Sequence, residues 1–163
     1  MMKQSTKNKK YSNLFQEPNA EDAPKLGRYQ LIPVVGTAQL GDNGLWCDLD
    51  YPVGYGDGFI KYPSKDPQAY AIRCVGDSMK PRIRNGEFVI VEPNSEVVIG
   101  NEVLVKSIDG RVMVKSLLFS SDDRIYLQSI NDIYPSITLE LKDIDVIHSI
   151  AAIAKSILWD KNP

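Results

Sequence analysis

The chain has 163 residues, 43% of them hydrophobic, which suffices for one packed core plus a tail and leaves too little for two full domains. A formal charge of -2 argues against a surface that binds nucleic acid all over, although a local basic patch is compatible with it. Cys47, Cys74 and the single His148 have no zinc-ligand spacing, so no metal and no cofactor is expected, and both thiols read as reduced and structural.

Residues 1–27 are polar and proline-interrupted, the composition of a disordered arm or linker, with Lys3, Lys7, Lys9 and Lys10 as a solvated basic run. A DNA-reading helix-turn-helix does not fit in such a segment. No apolar run approaches the roughly 20 residues of a membrane span, and the N-terminus lacks the apolar centre of a secretory signal, so a cytoplasmic protein without membrane contact is expected. Residues 28–44 follow as a separate region: Tyr29 to Val35 reads as extended, and Gly36 to Gly44 as a loop carrying Leu40-Gly41. Gly54 to Gly58 is glycine-rich but lacks the Gly-Lys-Ser/Thr ending of a phosphate loop, and reads as turns. Trp46, Tyr51, Tyr55 and Phe59 form an aromatic cluster, read as packing over the core with a partner surface as the alternative.

The remainder is a succession of β-type runs rich in branched residues: Tyr70–Val75, Glu87–Val91, Glu102–Ile108, Arg111–Phe119, Arg124–Ser129, Ile137–Leu141 and Val146–Leu158. Asp109-Gly110 predicts a hairpin through a type I′ turn. Ala151 to Leu158 suits a strand or a terminal helix, and strand is preferred. The expected fold is mostly β: short antiparallel strands forming small sheets or a partial barrel over residues 45–163, behind a disordered N-terminal arm.

Two residues stand out chemically. Ser78 lies in the turn Gly76-Asp77-Ser78-Met79-Lys80-Pro81, and Lys115 in the apolar run Val112-Met113-Val114-Lys115-Ser116-Leu117-Leu118. A serine hydroxyl needs a base to take its proton, and a lysine becomes such a base when burial disfavours its ammonium form. The alternatives are ordinary: a strand lysine that reaches solvent and a common Gly-Asp-Ser turn. A Cys74–His148 pair has no local sequence support, and Asp122-Asp123, Asp143 and Asp145 read as solvated charge.

The run Val75-Gly76-Asp77-Ser78-Met79-Lys80-Pro81-Arg82-Ile83-Arg84-Asn85-Gly86-Glu87-Phe88-Val89-Ile90-Val91, with Val114-Lys115 37 positions after the serine, resembles the LexA-like self-cleaving peptidase family. That family includes LexA, the C-terminal domains of lambda-type phage repressors, and UmuD. The similarity runs over about residues 29–155, through Gly100-Asn101-Glu102-Val103-Leu104-Val105 and Ser129-Ile130-Asn131-Asp132-Ile133-Tyr134-Pro135. It implies Ser78 as nucleophile, Lys115 as general base, and the backbone amides of Ser78 and Asp77 as oxyanion donors. Asp77 is otherwise read as turn-forming through its side chain, and Met79 and Pro81 as packing and turn geometry.

In the family the substrate is the protein's own loop, usually cut at Ala-Gly. The matching bond here is Leu40–Gly41, so the glycine is kept and the small residue is replaced by an isobutyl side chain. An overfilled pocket costs about 1–3 kcal/mol, which would slow cleavage roughly tenfold to a hundredfold and can leave the dyad dormant. The resemblance therefore implies the regulatory and dimerisation domain of a prophage-type transcriptional repressor. It would dimerise through strands around Ile144 to Ile153 and reach operator DNA only through a helix-turn-helix absent from this chain. A RecA filament, as in the SOS response, or an antirepressor would relieve repression. The alternative within the family is a UmuD-like accessory factor of a damage-tolerant polymerase. A signal-peptidase-like enzyme shares the Ser-Met-x-Pro turn but works from a membrane anchor.

Overall fold

The computed structural model describes residues 29–40, 45–46 and 57–162. The predicted arm, Cys47, Tyr51, Tyr55 and Gly41 lie outside the described residues. Among the described residues there are eleven strands: β1 (Gln30–Leu40), β2 (Leu45–Trp46), β3 (Phe59–Tyr62), β4 (Tyr70–Gly76), β5 (Phe88–Glu92), β6 (Glu102–Ser107), β7 (Arg111–Ser120), β8 (Arg124–Gln128), β9 (Ile137–Glu140), β10 (Ile144–Ala154) and β11 (Trp159–Asp160). Helix is limited, among the described residues, to two 3-10 turns at Leu141–Asp143 and Ser156–Leu158. The mostly β expectation holds, and no helix among the described residues is long and apolar enough to cross a membrane.

The strands follow one hydrogen-bonded path, β11-β3-β1-β4-β5-β10-β6-β7-β8-β9, with β2 added on β7. Every pairing is antiparallel except β1 with β4. The path stays open, but it curls far enough for β1 to meet β7. The continuous apolar runs Phe88-Val89-Ile90-Val91 and Val103-Leu104-Val105 are buried on both strand faces, which is why they do not alternate with polar residues. One cluster, including Ala38, Ile72, Cys74, Met79, Val112 and Val114, fills the space between β1, β4 and β7. A second gathers Ile32, Ile60, Phe88 and Ile90, and a third Val103, Met113, Leu117 and Leu127.

Three expectations are corrected. Residues 36–40 are strand rather than loop: after an irregularity between Val34 and Gly36, β1 pairs with β4 in parallel as far as Leu40↔Gly76, and that ladder satisfies its peptide groups. The Asp109-Gly110 hairpin exists, but Gly110 alone has a positive φ, +88°, so the turn is not type I′. Gly110 N–H donates to the Ser107 carbonyl at 2.9 Å, closing a loop in which only the glycine is left-handed. Finally, the last strand stops at Ala154. After the 3-10 turn at 156–158, β11 pairs with β3, the Trp159 ring packs 5.3 Å from Phe88, and its indole N–H donates to the Asp57 carbonyl. At Gly58 a Cβ would collide with the Asp160 carbonyl, so that approach requires glycine.

β10 pairs with β5 on one edge and β6 on the other. Those pairings cover Ser149–Ala154 on the β5 edge and Ile144–Ser149 on the β6 edge, and Asp145 and Ala151 are exposed.

Buried polar groups set the pH range of stability. Burial alone would raise the Asp66 carboxyl, but hydrogen bonds from Asn94 and Gln68 outweigh it and hold the group below its usual value. Glu87 is likewise lowered against burial, by Lys155 and the Arg84 amide. Both contributions are present above the unfolded carboxylate range and are lost as pH falls below about 4. Burial raises the Tyr70 phenol, so its contribution is present below about pH 10 and is lost as pH rises further. Urea unfolding across pH should give a plateau between these limits, and Tyr70→Phe should flatten the alkaline limb alone. An unchanged alkaline slope would show that other groups control it.

Candidate active site

Gly76 ends β4 with φ +109°, which turns the chain off the sheet. In the turn that follows, Lys80 N–H donates to the Asp77 carbonyl at 3.1 Å and Ile83 N–H to the Met79 carbonyl at 2.9 Å. Met79 plugs the turn into the core with no exposed surface. The Asp77 carboxylate pairs with Lys80 at 2.7 Å, so its side chain meets an ammonium rather than the backbone amide expected of it. Arg82 pairs with Glu102 at the start of β6, and the Arg84 amide donates to Glu87 at 2.9 Å. Both carboxylates tie the segment after Ser78 to the sheet.

Lys115 is in the middle of β7, between Val114 and Ser116, opposite Val103 of β6. Its side chain and that of Ser78 have no exposed surface, and Lys115 Nζ lies 3.0 Å from Ser78 Oγ. The two residues singled out in the sequence are thus brought into hydrogen-bond contact inside the protein. Full burial disfavours the ammonium form of a lysine. A neutral amine can accept the Ser78 proton, and that is the chemistry the contact permits.

Sequence reasoning missed Ser129 as a site residue. Its Oγ lies 2.6 Å from Lys115 Nζ and the residue is 1% exposed, so the amine is held between two hydroxyls. Ser129 follows β8, whose register with β7 runs Leu117↔Leu127 and Ser116↔Gln128, placing Ser129 level with Lys115 on the same face. The Tyr134 ring centroid is 6.0 Å from Nζ. Asn131, between Ser129 and Tyr134, donates its backbone N–H to the Ser78 carbonyl at 2.8 Å and Nδ2 to the Asp77 carbonyl at 3.2 Å.

The chain segment around Leu40 converges on the same place. β1 ends with Leu40 opposite Gly76, two residues before Ser78, and β2 begins with Leu45 opposite Val112, three residues before Lys115. The backbone on either side of residues 41–44 is therefore tied to the strand that leads to Ser78 and to the strand that carries Lys115.

Other candidates separate. His148 Nδ1 is 2.9 Å from the Tyr70 hydroxyl, and burial lowers the ring's pKa while Asp66 opposes the shift. The β4–β5–β10 registers put His148 and Cys74 about six rungs apart, roughly 20 Å, so they form no nucleophile–base pair. Among the described residues no group of three His, Cys, Asp or Glu side chains could hold a metal ion.

The family model for Peptidase S24-like domains matches residues 33–154. The chain is 27% identical over 128 residues to the prophage repressor CohE of Escherichia coli (strain K12), a match spanning 76% of this chain and 54% of that protein. It is 33% identical over 97 residues to Repressor protein C of Rhizobium phage 16-3, covering 58% of this chain and 34% of the phage protein. These matches thus span about half of one relative and a third of the other.

Proposed function

Because this chain belongs to the Peptidase S24-like family, we propose that it is the regulatory segment of a prophage-type repressor and that it switches state by cutting its own Leu40–Gly41 bond. The observation that carries this reading is the buried 3.0 Å contact between Lys115 Nζ and Ser78 Oγ. The segment tied to both strands supplies the substrate in the same molecule.

In the proposed reaction neutral Lys115 takes the Ser78 proton as Oγ attacks the Leu40 carbonyl carbon. The resulting oxyanion is received by the backbone amides of Ser78 and Asp77. The tetrahedral intermediate collapses with cleavage of the Leu40–Gly41 bond, and Lys115 passes its proton to the Gly41 nitrogen. Water, deprotonated by the same amine, then hydrolyses the Leu40–Ser78 ester. Ser129 bonds the amine and acts as its positioning residue.

In a two-fold repressor such a cut separates the dimerising segment from whatever precedes Leu40, and the gain in operator affinity from dimerisation is lost. The proposal includes a homodimer, a DNA-reading domain outside this chain, and an inducing partner, either a RecA filament or an antirepressor.

Incubation near pH 9, below the range where Tyr70 titrates, should yield one fragment ending at Leu40 and one beginning at Gly41 by mass spectrometry. Activated RecA should raise the rate if it is the inducer. An intact mass after long incubation in both conditions would reject a working switch.

A further inference from the structure

We infer that Asn131 is the residue that aims the oxyanion donor, an inference that rests on the self-cleavage reading. In a trans peptide the carbonyl and the N–H point in opposite directions. Among the described residues the only cis bond is Lys80–Pro81, so the Asp77–Ser78 and Ser78–Met79 peptides are trans. Asn131 Nδ2 holds the Asp77 carbonyl toward the 129–134 loop at 3.2 Å, which turns the Ser78 N–H away from that loop. Its backbone N–H holds the Ser78 carbonyl at 2.8 Å and fixes the next peptide in the same way. The side-chain amide is itself oriented, because Asn131 Oδ1 accepts the Ile133 N–H at 3.3 Å and leaves Nδ2 facing Asp77.

Two residues earlier on the same loop, Ser129 holds the amine of Lys115. One short segment therefore grips both the base and the peptide that carries the oxyanion donor. Asn131 touches no reacting atom, so it is a positioning residue, and its effect should fall on the plateau rate rather than on the titration of Lys115.

The test compares self-cleavage rate against pH for the parent, Asn131→Asp, Asn131→Gln and Ser129→Ala, in the wild-type and Leu40→Ala backgrounds. Asn131→Asp keeps the acceptor for Ile133 and loses the donor to Asp77. It should lower the alkaline plateau at least about tenfold, short of the roughly 10²–10³-fold cost of removing an oxyanion-hole donor outright. Its urea midpoint should stay where the parent's is, while the added carboxylate favours the Lys115 ammonium and should move the pH midpoint upward, which leaves the plateau as the measure of aim. Asn131→Gln, which restores an amide donor, should recover part of the rate, whereas Ser129→Ala should move the pH midpoint.

A plateau within twofold of the parent, or a urea midpoint that falls as a loosened loop would make it, would overturn the assignment. No recovery in Asn131→Gln would count against it equally. If neither background cleaves itself, the readout becomes phosphonylation by an alkyl fluorophosphonate, in which Ser78 Oγ displaces fluoride and the phosphoryl oxygen takes the oxyanion position. Slower labelling of Asn131→Asp would then support the role of Asn131 while the switch reading fails. Equal labelling would overturn the role, and an unlabelled parent would overturn both.

Discussion

Ser78→Ala and Lys115→Ala should each reduce self-cleavage by at least about 10³-fold, and the double substitution should cost little more than either one alone. The expectation follows from the shared proton. Without Oγ no bond forms to the Leu40 carbonyl, and without the amine the Oγ proton has no acceptor of matched basicity at 3.0 Å. Non-additivity is the sharper half of the prediction, since residues acting in one step are lost together. Lys115→Met, close in length and apolar, should abolish cleavage without raising the unfolding midpoint, because it removes a buried amine but takes from the buried Ser78 and Ser129 hydroxyls the partner they share. The measurement is fragment appearance by mass spectrometry at about pH 9, with urea unfolding in parallel. A cut that survives either single substitution removes that residue from the mechanism.

Leu40→Ala should accelerate cleavage roughly tenfold to a hundredfold. The family resemblance implies a pocket suited to a methyl group, and an isobutyl group there costs about 1–3 kcal/mol if its strain persists in the transition state. The substitution leaves Gly41 and the backbone pairing Leu40↔Gly76 in place, so it changes side-chain volume without moving the strand. The rate constants at matched pH decide the matter. An unchanged rate would locate the obstacle in the seating of residues 41–44 rather than in the pocket.

Much of the fold was legible because long apolar runs rich in Val, Ile and Leu have few other ways to be buried. Seven predicted runs coincide with strands to within a few residues, the largest difference being at the C-terminus, where Val146–Leu158 was expected and the strand is Ile144–Ala154. The boundary moved because the last residues turn back to cover the β3 edge, a contact between positions about a hundred residues apart. The Gly36–Gly44 loop was misread for a similar reason. Its first half has no strand pattern of its own and is extended only because β4 offers a parallel ladder.

Ser78 and Lys115 could be singled out from sequence because a serine on a tight turn and a lysine inside an apolar run each depart from local expectation. Ser129 gives no such signal. Continuing the Ser120↔Ile125 register without interruption would place Ile130 opposite Lys115, and the irregularity between Leu117 and Phe119 shifts the pairing by one residue to Ser129. Asn131 was equally silent, since its hydrogen-bond partners are carbonyls 53 and 54 positions earlier.

By itself the sequence determined the strands β4 to β10 and the first half of β1, the turn that carries a serine and the lysine that burial would keep neutral, because these depend on local composition and on patterns a few residues long. Only the tertiary structure decided that the two meet at 3.0 Å, that a second serine holds the amine, and that the Leu40 strand ends beside them. Those outcomes rest on the curl that brings β1 to β7 and on a one-residue register shift in β7, which long-range pairing fixes and local sequence does not encode.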